Sequence, residues 1–360
     1  MTNPRPPRDT NHPDAALLAR SQRALAWWAE QTPATPTSSI TGGGAIAAVE
    51  DAVSQLTMNK FALALPNATY GLRIALLAVG VRPGDDVLVS ALDWPAGRAA
   101  ARRLGARPIP VDIDPRTLTT DPAKIAAVRT RGTTALLVTH LHGVCADVPA
   151  LRTALDDQLP VIEDAAQAFT ATLDGRPAGS LADIAVFSFG PNKAIDAGEL
   201  AVLTTRDEKL LRAAIRASQH PVRQLLTGSS PPDEDNLSGR PAPLSALLAA
   251  YELHHWPQRA QQLQQADHQL HKLLDDNPTT ELTRLTETPR RTGQPGTTAV
   301  LLPRPATGRL SLPHRLRSGH TITVSTSGAT TCGGLHNETQ RHAQALTNRI
   351  RLLILSQHAE

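Results

Sequence analysis

Between residues 45 and 205 the sequence alternates between helical patterns and short apolar runs, and this alternation restricts the possible folds more than any other feature. Helix 45–57 leads to strand 61–65 (FALAL), and helix 69–80 to strand 86–90 (DVLVS). Helix 95–104 then precedes strand 107–111, helix 122–129 precedes strand 134–138 (TALLV), and helix 147–157 precedes strand 160–163. Two further strands, 183–189 and 200–204, close this stretch. Apolar runs of this length separated by helices form βα units, whose strands are covered on both faces in a mostly parallel sheet. The expected class is therefore α/β. Aromatic residues are only 3% of the chain, so its core must be built mainly from Ala, Leu, Val and Ile.

The flanking segments read differently. Residues 1–13 are a polar, Pro-rich lead, 14–30 a helix carrying Trp27 and Trp28, and 31–39 a Thr/Pro/Ser linker before Gly42-Gly43-Gly44. The polar stretch 227–243 is a long loop, a common place for function in a compact enzyme. A long helix, 244–275, follows, with a bend expected at Pro257. Beyond the loop 277–297 come strands near 298–302 and 321–325 and a helix near 337–347. The expected organisation is an N-terminal segment (1–40), a large domain (41–243) and a small C-terminal α+β domain (244–360).

Charge and cysteine content narrow the function. The 36 basic and 33 acidic residues are mixed along the chain, with no basic stripe, which argues against nucleic acid as a partner. Cys145 and Cys332 fall in no metal-ligand or disulfide spacing. No signal-type apolar segment and no run of about 18 apolar residues is present, so no membrane association and a cytoplasmic location are expected.

Five lysines occur, and Lys193 stands apart. It lies in the turn-rich FSFGPNKAIDAGE directly after an apolar strand, where α/β sheets bind ligands. Upstream, the strand in VIEDAAQAF runs out into Asp164, a carboxylate suited to a protonated ring nitrogen, and Gln167 follows. Thr69 opens a helix, whose first N–H groups are suited to phosphate, and Ser188 precedes Lys193 by five residues. Trp94 follows a strand end, where its ring can stack on a ligand. Each residue taken singly has a structural alternative: a loop lysine, a helix cap at Asp164 or Thr69, core packing at Trp94. His140-Leu-His142 has a metal-ligating spacing but lacks an evident third ligand. His220 reads equally as a substrate contact or a surface turn.

The ordered set Asn67-Ala68-Thr69, PGDDVLVSALDW, GARPIPVDIDPRTL, THLHG, VIEDAAQAF, GRPAGSLADIAVFSF, Lys193 and Gly198-Glu199 resembles the DegT-type sugar aminotransferases, a branch of the fold-type-I pyridoxal-phosphate enzymes. The resemblance runs over roughly residues 40–260. It implies pyridoxal 5′-phosphate held by Lys193 as a Schiff base, with Asp164 at the pyridine nitrogen and Gln167 at the phenolic oxygen. It also implies Ala68, Thr69 and Ser188 at the phosphate, Trp94 stacked on the ring, and Asn236 reaching the phosphate from the partner of a homodimer with shared active sites. The implied reaction moves an amino group from glutamate or glutamine to a keto group of a sugar nucleotide or cyclitol, as in secondary-metabolite biosynthesis. The sequence departs from the family's Gly-Glu-Gly-Gly at Leu200-Ala201 and has Ala68 where glycine is common. These departures leave open a pyridoxal-phosphate lyase, racemase or cyclase. A non-enzymatic binder is disfavoured by the retained Lys193, Asp164, Gln167 and Ser188.

Overall fold

In a computed structural model, the described residues are 13–31, 39–233, 236, 238–276, 283–284, 289–303, 321–326, 330–331 and 350–358. The helices are α1 (Pro13–Gln31), α2 (Ala45–Leu56), α3 (Ala68–Ala78), α4 (Ala96–Arg103), α5 (Ile125–Val128), α6 (Val148–Ala154), α7 (Glu208–Ser218), α8 (Pro221–Leu226) and α9 (Pro243–Asp275). The strands of the first part are β1 (Phe61–Leu65), β2 (Asp86–Ser90), β3 (Leu92–Asp93), β4 (Arg107–Val111), β5 (Thr133–Thr139), β6 (Val161–Asp164), β7 (Thr172–Leu173), β8 (Arg176–Pro177), β9 (Ile184–Ser188) and β10 (Ala201–Thr205). Later come β11 (Thr283–Arg284), β12 (Arg291–Thr292), β13 (Thr297–Pro303), β14 (Thr321–Thr326), β15 (Thr330–Thr331) and β16 (Ile350–His358).

Seven strands form the central sheet in the order β1-β10-β9-β6-β5-β2-β4. β4, β2, β5, β6 and β9 run parallel, and β10 is antiparallel to both β9 and β1. The strands expected from the sequence are all present, within a residue at each end. Alternate side chains serve two cores, as the period of a strand requires. Leu63, Val87, Leu137, Ile162, Val186 and Leu203 pack with α3, α4 and α7 on one face. Ala64, Leu88, Leu136, Val161, Phe187 and Val202 pack with α2, α6 and α9 on the other. One aromatic cluster lies behind the site: Phe169 is edge-on to Phe187 and Phe189 at 5.6 and 5.2 Å, with Trp256 of α9 at 5.4 Å.

The helix expected at 122–129 is a 3-10 turn, Pro122–Lys124, joined to the short α5. The one expected at 147–157 stops at Ala154, because Asp156 and Asp157 turn left-handed at φ 54° and 52°. α9 runs through Pro257 as one helix. Its first half joins the core beside α2. After it, β11, β13, β16 and β14 form a separate four-stranded sheet. The lead, most of the 31–39 linker, Cys332 and the helix expected at 337–347 lie outside the described residues.

One glycine positions the site. A Cβ on Gly71 would sit 2.8 Å from the Val186 side chain. Its absence lets α3 lie directly on β9, which brings the start of α3 beside the end of β9.

Candidate active site

The carboxyl ends of β1, β2, β5, β6 and β9 all face one side of the sheet, and a cleft of about 510 Å³ opens there. Ala68, Thr69, Trp94, Asp164, Gln167, Ser188 and Lys193, named from the sequence, all line it. Asn236 does not line the cleft of its own chain. Its side chain is occupied locally, with Nδ2 donating to the Asp233 carbonyl and Oδ1 accepting from the Ser238 N–H, both at 2.7 Å.

At one end of the cleft, Asn67 rather than Thr69 caps α3, its Oδ1 accepting the Tyr70 N–H at 2.9 Å. The first N–H groups of a helix lack partners within it. Those of Ala68 and Thr69 therefore face the cleft beside the Thr69 and Ser188 hydroxyls, a set of donors with no fixed charge. Such a set suits a phosphate group.

The floor is the end of β6. Asp164 is buried and accepts the Ala166 N–H at 3.0 Å. Burial raises its pKa, against the opposing effects of the Ala166 N–H and the Lys193 charge. Its position is fixed by Glu163, whose side chain points the other way. Glu163 accepts backbone N–H groups from Gly179 (2.7 Å), Leu181 (2.9 Å) and Ala182 (2.7 Å), and the His140 ring at 2.7 Å. His140 Nδ1 accepts the Ala146 N–H at 3.0 Å, so its proton sits on Nε2 and is donated to Glu163. The His140-Leu-His142 pair thus braces the floor. Among the described residues no group of three or more His, Cys, Asp or Glu could hold a metal ion.

Lys193 hangs over this floor from the loop between β9 and β10. The loop is closed by hydrogen bonds from Ala197 N to the Phe189 carbonyl and from Phe189 N to the Leu200 carbonyl, at 2.9 and 2.8 Å. The Arg259 guanidinium of α9 holds the Ala194 carbonyl. Burial lowers the Lys193 pKa, and the charge of Asp164 works against that shift. His142, buried in a left-handed turn at φ 58°, is pushed down to about 4 by burial and by the Lys193 charge, so it is neutral. Its backbone N–H donates to Gln167 Oε1 at 2.9 Å, which leaves the Gln167 NH₂ for the cleft.

The family departure has a structural outcome. Leu200 and Ala201 are fully buried, and Ala201 pairs with Ser188 as β10 begins. Neither side chain enters the cleft. His220 caps α8 through its Nδ1, which accepts the Val222 N–H at 3.2 Å, so it is a turn residue. Sequence reasoning missed Asn67, Thr139 and Asp93. Thr139 and Asp164 are cross-strand neighbours. The one signal for Asp93 was an acid between Ala91-Leu92 and Trp94.

The sequence model of the DegT/DnrJ/EryC1/StrS aminotransferase family matches residues 29–323. GDP-perosamine synthase of Caulobacter vibrioides is 45% identical over 152 residues, 42% of this chain and 41% of that protein. L-glutamine:2-deoxy-scyllo-inosose aminotransferase of Streptoalloteichus tenebrarius is 41% identical over 147 residues, 41% of this chain and 35% of that one. The chain thus spans less than half the length of these two curated relatives. A crystal structure of DesI in the presence of its TDP-sugar product superposes with a TM-score of 0.74 at 25% identity, covering 94% of this chain and 85% of DesI.

Proposed function

The chain belongs to the DegT/DnrJ/EryC1/StrS aminotransferase family, and from that premise we propose that it transfers an amino group from glutamate or glutamine to a keto group on a sugar nucleotide or cyclitol, using pyridoxal 5′-phosphate. The observation that carries this reading is the meeting of Lys193, Asp164 and the start of α3 in one cleft. The residues fit the cofactor. A wholly buried carboxylate needs a cationic partner, and a protonated pyridine nitrogen is one. The neutral donors at the start of α3 match a phosphate, and a lysine amine stands between the two ends.

When bound, pyridoxal phosphate supplies a protonated ring that accepts the electron pair left on a carbon when its proton is removed. The residues of the chain do the rest. Lys193 Nζ would hold the cofactor's aldehyde carbon until the donor amine takes its place, and the freed amine would then carry the proton from the donor's α-carbon to that carbon, a task helped by its lowered pKa. Asp164 holds the proton on the ring nitrogen, the Gln167 NH₂ donates to the phenolic oxygen, and Trp94 covers the ring. The N–H groups of Ala68 and Thr69 and the hydroxyls of Thr69 and Ser188 hold the phosphate. Because Leu200 and Ala201 are turned into the core, the departure that left a lyase, racemase or cyclase open does not alter the cleft wall. Incubating the holoenzyme with glutamate or glutamine should yield pyridoxamine phosphate and the matching keto acid by chromatography. No amino transfer from any donor would refute the reading.

Thr69→Ala combined with Ser188→Ala should weaken retention of the cofactor by about two to four decades, since each bond from a neutral hydroxyl to a phosphate contributes about 1.5–3 kcal/mol, or about one to two decades. Equilibrium dialysis reads the change, and unaltered retention would move the phosphate elsewhere.

We also propose a homodimer in which Asn236 completes the partner's site. The support is the exposed apolar surface at Val222, Leu225 and Leu226 of α8 and Leu244 of α9, on either side of the Asn236 loop. Such patches on a soluble protein mark contact surfaces. Mixing Lys193→Ala and Asn236→Ala chains should restore activity, because each mixed dimer contains one site with both residues intact. Failure to recover any activity above that of the separate variants would argue against sharing. No helix among the described residues is long and apolar enough to cross a membrane, which is consistent with the cytoplasmic location we assign. The division at 243/244 into cofactor and small domains belongs to the same proposal.

A further inference from the structure

Asp93 is fully buried one residue before Trp94, behind the cleft that Trp94, Thr139 and Asp164 line, and both its carboxylate oxygens lack a hydrogen-bond partner among the described residues. An ionised carboxylate in that condition is among the costliest groups a protein can bury. The Thr139 hydroxyl and the Trp94 N–H lie near enough to act on it, but neither makes a hydrogen bond of normal geometry. Thr139 Oγ1 is itself buried without a partner. Asp93 is packed in tightly: Oδ2 lies 3.5 Å from where a Cβ on Gly97 of α4 would sit, a position already crowded by Leu137 of β5 at 2.8 Å.

The charged groups that reach Asp93 are Arg98 of α4 and Asp164 of β6, whose like charge opposes its ionisation. Asp164 is better supplied. It has the Ala166 N–H, and the charge of Lys193 favours its charged form. Two neighbouring carboxyls in a dry pocket do not both ionise readily, and the proton stays with the one that has fewer partners.

We propose that Asp93 is a positioning residue for Asp164: it remains a neutral carboxylic acid, so that the pair presents one negative charge, on Asp164, to the ring nitrogen of the bound cofactor. This rests on the pyridoxal-phosphate reading above. The neutral form also avoids burying an anion whose two oxygens no donor among the described residues reaches with normal hydrogen-bond geometry. Burial, and next the charge of Asp164, push the Asp93 carboxyl up to about 8. The pair therefore carries one charge near neutrality. It gains a second as the pH rises through that value, which strengthens its hold on the ring proton.

The test is infrared and visible titration of the holoenzyme and of the same protein before cofactor is added. A protonated-carboxyl infrared band should be present near neutrality, fade as the pH is raised through about 8, and be missing from neutrality upward in Asp93→Asn. In the holoenzyme a change in the cofactor's visible spectrum should follow the same curve and be lost in Asp93→Asn. Thr139→Val, which removes a hydroxyl that favours the carboxylate form, should move both curves to higher pH. This variant and the wild-type titration decide the matter if Asp93→Asn does not fold. A wild-type protein without the acid band near neutrality, or a band that survives in Asp93→Asn, would overturn the proposal. Failure of the cofactor reading is distinguishable, because it appears as no borohydride fixation on Lys193 whatever the carboxyl band does.

Discussion

Lys193→Ala should remove both the covalent hold on the cofactor and turnover, with a rate loss of about four orders of magnitude, the upper end for a positioned proton-transfer group. The structure makes the loss specific. Asp164 acts directly on the Lys193 amine, which is partly buried above it. Of the other four lysines, none lines the cleft. No neighbour is equipped to substitute: His142 is neutral and held low by burial, and the Gln167 carbonyl is occupied by a backbone N–H. Borohydride reduction of the wild-type holoenzyme, followed by peptide mass mapping, should place the cofactor on Lys193. The variant should show no such adduct, yet should still bind pyridoxal phosphate reversibly through the start of α3 and Asp164. An adduct on another lysine, or turnover within tenfold of wild type, would remove Lys193 from the centre of the mechanism.

The second large effect is at Asp164. Asp164→Asn keeps the shape and the hydrogen bond from Ala166 but loses the charge, and with it the reason for the ring nitrogen to stay protonated. The expected result is a fall in kcat of about two orders of magnitude or more, with cofactor content reduced far less. Burial raises the pKa of Asp164, so its charged form is lost as the pH falls through a value above the ordinary carboxylate range. The wild-type rate should therefore decline on the acid side, and that limb should flatten in Asp164→Asn. Near-normal transamination by the variant would mean that the ring nitrogen has another partner.

Much of this site was legible in the sequence because it lies on the simplest part of the fold. Asp164, Ser188 and Thr69 follow apolar runs too short and too evenly spaced to be anything but strands of a parallel sheet, and such strands deliver their ends to one side. What the sequence did not yield depends on packing in three dimensions. Gly71 looks unremarkable in NATYGLRIALL, yet its missing side chain sets the approach of α3 to β9. Asp93 reads as a surface acid until the sheet closes over it. Glu163 and Asp164 are adjacent acids, and only the alternation of the strand separates the brace from the side chain that lines the cleft. The Asn236 loop is a different case: its proposed role lies in a neighbouring copy, which no pattern along one chain specifies. The 3-10 turn at Pro122–Lys124 and the early end of α6 reflect local backbone choices that periodicity does not resolve.

α9 joins the two sheets mechanically. At about 1.5 Å per residue, its 33 residues make a rod that is clamped at one end into the core beside α2 and leads at the other toward the four-stranded sheet. Arg259 sits near its midpoint and grips the carbonyl of Ala194, next to Lys193. The same arginine is tied to Glu252, about two turns earlier on the same face of the rod. The grip point is therefore a fulcrum. A tilt of either end of the rod would be passed through Arg259 to the loop that carries Lys193.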